Sequence, residues 1–104
     1  MKALVKNAAD REQVEDAEKS EQRRRERELA DIYSILQTPG GRRFVWRYLG
    51  LCNVFKTSFN HSGSITAFNE GSRNIGLMLL DDVNEASPDS LTVMMKEAKE
   101  QRNV

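Results

Sequence analysis

A chain of 104 residues is enough for one domain and not two. Apolar residues make up 38% of it and charged residues 31%, a low apolar and high charged share for a compact globule. Sixteen Lys and Arg balance sixteen Asp and Glu, so the net charge is zero; this argues against a typical nucleic-acid-binding domain, which carries a basic excess, and removes global repulsion between copies.

The lone cysteine, Cys52, rules out an intrachain disulfide and a Cys-based zinc site, and reads as a small buried hydrophobe. No apolar run approaches the roughly 20 residues that span a bilayer. The first residues, MKALVKNAADREQ, lack the apolar stretch of a signal peptide, so an intracellular protein is expected.

The first segment, about 8–37, has neither Gly nor Pro and is rich in Glu, Arg, Gln and Ala, so it predicts one long helix. Opposite charges recur at helical spacing, as in Glu15 with Lys19, Glu21 with Arg24 and Glu21 with Arg25. Between Asp10 and Glu28 the only apolar residues are Val14 and Ala17, so residues 1–28 read as a charged arm, helical or disordered. From Leu29 onward, Leu29, Ile32, Tyr33 and Leu36 recur at i, i+3, i+4 and i+7, with Ile35 beside them, and this end is expected in the core. Residues 29–104 form the small helical domain.

Thr38-Pro39 then supplies an N-cap and a first-turn proline for a second helix over about 41–52. Phe44, Val45, Tyr48, Leu49 and Cys52 share a broad face, flanked by Trp46 and Leu51, which predicts the most buried helix. Residues 53–64 read as the main irregular region, pinned to the core by Val54, Phe55 and Phe59. A third helix is expected over about 65–85, capped by Ser64, with Phe68, Ser72, Ile75, Leu79 and Val83 as its core stripe. Gly71 and Gly76 each cost nearly 1 kcal/mol in a helix interior, so close approach of another helix is expected near Gly76. Ser87-Pro88-Asp89 starts a fourth helix with Leu91, Met94, Met95 and Ala98 inward, followed by a polar tail expected to fray. The fold class expected is all-α: a compact bundle of three to four helices with a long charged N-terminal helical arm.

No pattern of catalysis or cofactor binding is present, and no cofactor is expected. His61, the only histidine, has no His, Cys or Asp within four residues, and reads as a solvated loop residue. Asp81, Asp82 and Glu85 read as a solvated acidic helix end rather than a metal site, with Arg42 or Arg43 as the expected basic partner. The basic clusters carry more information. Arg42, Arg43 and Arg47 surround Trp46 near a helix N-terminus, where anions bind readily, and form a candidate partner surface. Glu70, Arg73 and Asn74 lie on one side of the third helix as a second candidate, closed in the plainer reading by a Glu70–Arg73 pair. Arg23, Arg24, Arg25 and Arg27 are balanced by Glu21, Glu26 and Glu28 and read first as a salt-bridged surface, with phosphate contact as the alternative.

Gly41-Arg42-Arg43 followed by an apolar helix, and then Phe68, Glu70-Gly71, Arg73-Asn74 and Gly76, resemble a family of small proteins of tailed bacteriophages, typified by a protein of a Bordetella podophage. The resemblance covers about 29–97 and leaves the charged arm outside. It implies genes set among portal, terminase and capsid genes, and a role in virion assembly, DNA packaging or genome ejection. It assigns no catalytic residue. The expectation is therefore a non-enzymatic structural or assembly protein acting through helix-mediated contacts with other virion or packaging proteins. A homo-oligomer is expected, located in the host cytoplasm during assembly and then in the virion. The alternative is a DNA-contacting accessory of packaging.

Overall fold

The computed structural model describes residues 8–102. They form four helices and, among the described residues, no strand: α1 (Ala8–Leu36), α2 (Pro39–Leu51), α3 (Gly63–Ala86) and α4 (Ser90–Arg102). The first seven residues of the expected arm and the last two of the expected tail lie outside the described residues. None of the four helices is long and apolar enough to cross a membrane.

α1 ends because the residue before a proline is driven out of the helical region; Thr38 sits at φ −114° and ψ 149°. The same residue caps α2, its hydroxyl accepting from Gly41 N at 3.0 Å. The last four carbonyls of α1 have no partner inside the helix, and each finds one in the junction. Tyr33 O accepts from Gln37 Nε2, Ser34 O from Gln37 N, Ile35 O from the Thr38 hydroxyl and Leu36 O from Arg42 Nη1. Gly41 is required here, because a Cβ at this position would collide with the Ile35 carbonyl.

α2 ends in a Schellman turn. Val54 N donates to Leu49 O (3.2 Å) and Asn53 N to Gly50 O (3.0 Å), with Asn53 left-handed at φ 60°. The turn delivers Val54 beside Leu49 in the core. That core consists of Leu36, Val45, Leu49, Val54, Val83 and Met94, ringed by half-buried Ile32, Trp46, Cys52, Leu77, Leu79, Leu80 and Leu91. Close approach at Gly76 is found: a Cβ there would collide with Val54 and with Cys52, so the end of α2 and its turn press directly on the α3 backbone.

The helices spread out. The radius of gyration is 19.6 Å, where a compact chain of this length has about 13 Å. The shortest dimension is 15 Å, at most two helices deep. Much of the expected core therefore lies outside. Tyr33, Ile35, Phe44, Tyr48, Leu51, Phe55, Phe59 and Met95 are exposed, and so are Phe68 and Ile75 of the stripe assigned to the core of α3. So α2 is fully buried along Val45 and Leu49 only, and Val54 is the one buried anchor of the loop, with exposed Phe55 lying against half-buried Trp46. Leu79 and Val83 of the α3 stripe do reach the core, which α3 meets along Gly76 and Val83.

Two helix starts differ from expectation. α3 is capped by Ser62, which accepts from Ile65 N, and Ser64 instead contacts the Ser62 hydroxyl. α4 begins at Ser90, because Ser87 and Ser90 close a turn around Pro88 through their hydroxyls at 2.6 Å. α4 extends through Arg102, and Lys99 and Arg102 lie at the negative end of its dipole.

Candidate partner-binding site

Arg42 ties three helices together. From the first turn of α2 it donates to Leu36 O at the end of α1 (3.0 Å) and grips both oxygens of Glu97 on α4, Nε to Oε1 at 2.9 Å and Nη2 to Oε2 at 2.8 Å. This forked geometry suits guanidinium and carboxylate alike. It holds the Glu97 carboxyl below its usual range, chiefly through the hydrogen bond from Arg42, against the opposing effect of burial. It likewise raises the Arg42 guanidinium above its usual value.

This clamp sets α2 and α4 side by side with a groove of about 630 Å³ between them. Met94 and Ala98, both buried, and half-buried Trp46 make its floor. Exposed Arg43, Phe44 and Arg47 contribute from α2. Arg43 and Arg47 have no ion pair among the described residues. Arg47 instead lies over the rings of Phe44 (5.7 Å) and Tyr48 (5.3 Å), which fixes its guanidinium on the surface. Between Asp31 and Glu70 the chain carries Arg42, Arg43, Arg47 and Lys56 and no carboxylate, so nothing nearby in sequence neutralises this side. An apolar floor with two unpaired cations suits a partner segment carrying an apolar side chain flanked by acids.

The groove thus brings together Arg42, Arg43, Trp46 and Arg47, with Arg42 spent on structure. Glu70, Arg73 and Asn74 do not line it. Nor does Glu70 pair with Arg73: Glu70 is exposed, and Arg73 Nε is buried without a hydrogen-bond partner. Asn69 makes the contact to the loop instead, donating to Ser58 O at 3.2 Å. Among the groove residues missed by sequence reasoning are Phe44, placed in the core, and Glu97, whose position next to the Met94–Ala98 stripe was the available signal.

The arginine run of α1 is partly occupied. Arg24 pairs with Glu21, as the helical spacing indicated. Arg25 bonds Asp82 (2.8 Å) and Glu85 (2.7 Å) of α3 as well as Glu28, and these carboxylates raise it above its usual value, Glu85 most of all. Arg25, and neither Arg42 nor Arg43, is therefore the basic partner of the acidic end of α3. Arg23 and Arg27 remain exposed. His61 is exposed, edge-on to Phe59 at 5.6 Å. Among the described residues no three His, Cys, Asp or Glu side chains are grouped to hold a metal ion.

No curated protein and no solved structure matches the chain. A family model does, described as Bbp19-like phage protein, over residues 34–96. That span holds α2, α3, their connecting turn and the start of α4 through Met94, with Glu97 and Ala98 just beyond it; it is more than half of the chain, and the protein belongs to this family of phage proteins.

Proposed function

We propose that this protein is a non-enzymatic structural or assembly protein of a bacteriophage, working through helix-mediated protein contacts in virion assembly or genome ejection. One observation supports this most. Among the described residues, fourteen large apolar side chains are exposed while only seven apolar residues are buried. A monomer rarely leaves so much apolar surface to water without a use for it. The groove between α2 and α4 takes an acidic and apolar segment of a neighbouring virion or packaging protein, with Arg43, Phe44, Trp46 and Arg47 as its contacts. The charged first part of α1 offers a second docking surface. The protein acts in the host cytoplasm during assembly and is carried into the particle.

DNA contact is the less favoured reading, because Arg24 and Arg25 are already engaged by carboxylates. Co-expression with the portal, terminase and capsid proteins of the same phage tests the proposal. Co-purification with one of them, lost in Arg47→Glu and Phe44→Ala, is the expected result. Failure to bind any of them, together with absence from purified particles, would overturn it. Salt-sensitive gel shifts abolished by Arg43→Glu would move the reading to a packaging accessory that contacts DNA.

A further inference from the structure

α3 presents apolar residues in two directions, about a third of a turn apart. Its core side carries Gly76, Leu80 and Val83. The other side carries Phe68, Gly71, Ile75 and Met78, at spacings of three, four and three residues, the alternation of a two-helix seam. Phe68 is 74% exposed, Ile75 62% and Met78 63%. α1, α2 and α4 all pack against α3, yet none of them covers this line of residues.

Gly71 sharpens the point. Gly76 is explained by the collision a Cβ would make with Val54 and Cys52. At Gly71 a Cβ would meet nothing within 4 Å. Within one chain, then, Gly71 weakens α3 without any packing return. Its place in the middle of the exposed seam gives it one: it lets a second helix approach.

We infer that this seam pairs with the α3 seam of a second copy, antiparallel, about a two-fold axis at the level of Arg73. That operation sets Phe68 against the second copy's Met78 and Gly71 against its Ile75. Each large side chain meets a complementary one, and the smallest residue faces a branched one. The contact is closed and the same on both copies, as two-fold interfaces are. The surface needed is available. The whole chain, with the exposed first part of α1 included, shows 7925 Å², about 2,000 Å² more than a compact monomer of its mass, where a standard interface takes roughly 800 Å² from each partner. The zero net charge sets no global repulsion against pairing. The inference deepens the contact-based reading above, resting on it only in treating exposed helix faces as working surfaces.

Sedimentation equilibrium of the purified chain, from about 1 to 100 µM, tests this with no phage partner present, so the result is independent of whether any virion protein binds. The expected result is a monomer–dimer equilibrium, weakened about thirtyfold or more by Ile75→Glu or Phe68→Asp. Gly71→Gln separates packing from folding: in dilute, monomeric protein its melting temperature equals or exceeds that of the parent chain, while its dimer weakens about tenfold or more. Orientation is read in a Cys52→Ala background. Phe68→Cys combined with Met78→Cys forms interchain disulfides on mild oxidation. Phe68→Cys alone does not, because the two Phe68 positions lie about 15 Å apart along the paired helices. A chain that remains monomeric throughout, a dimer indifferent to Ile75→Glu, or ready cross-linking of Phe68→Cys alone would overturn the inference.

Discussion

On one side of α3, Gly76 meets Cys52 and Val54 and Val83 closes the core; on the other, Phe68, Gly71, Ile75 and Met78 meet water. The two sides have similar chemistry and opposite surroundings. The core side determines whether the chain folds. The open side is free to vary as far as folding is concerned, and what it carries reflects what the folded chain touches. The two glycines make the same contrast in miniature: Gly76 has a neighbour inside the chain and Gly71 has none.

Substitutions that respect or violate this division should differ in size and in sign. Gly76→Leu is the severest, because its Cβ collides with both Val54 and Cys52 and neither the turn nor α2 can withdraw without opening the core. A loss of about 3 kcal/mol or more is expected in urea denaturation, enough to unfold much of so small a domain. Val83→Ala leaves a cavity in the core, and about 2 kcal/mol should be lost. An effect of that size from Ile75→Ala in the monomer would break the comparison.

Glu97→Gln removes the carboxylate from the α2–α4 clamp and should lower the melting temperature at neutral pH by roughly 4–8 °C. The folded chain holds the Glu97 proton less tightly than the unfolded chain does. The stabilisation is therefore fully present above the ordinary carboxylate value, about 4.3, and is lost as the pH falls through the lower folded value. Melting curves of the parent and Glu97→Gln should accordingly converge in acid. Divergence there would mean that Arg42 does not protect the carboxylate. The smallest effect has the opposite sign. Gly71→Ala should stabilise the monomer by about 0.5–1 kcal/mol, because it adds helix propensity and meets no neighbour.

Much of this architecture is legible in the residues, because its signals are local. Thr38-Pro39 marks both the end of α1 and the cap of α2, and Gly76 announces a close approach. The two sides of α3 cannot be ranked in the same way. Periodicity finds apolar positions but does not say which neighbour covers them, so Phe68 and Ile75 read as core alongside Val83. Pairings distant in sequence are hidden for the same reason. Arg25 with Glu28 is a matter of helical spacing, whereas Arg25 with Asp82 and Glu85 depends on how α1 crosses α3. The candidate partner surface is half legible. Arg43, Trp46 and Arg47 stand out in α2, but the α4 wall that makes them a groove depends on the Arg42–Glu97 clamp.

The central claim is that the open side of α3 is water-exposed in the single chain and covered in the working assembly. Two methionines allow it to be read in one experiment. Met78 lies on the open side and Met94 in the core, at 1% exposure. Peroxide oxidation of each, followed by mass spectrometry, reports access to the sulfur. In dilute protein Met78 should oxidise quickly and Met94 slowly; as the concentration rises, Met78 should become protected while Met94 stays slow. Oxidation of Met78 at one unchanging rate, in concentrated protein and in assembled particles alike, would contradict the account.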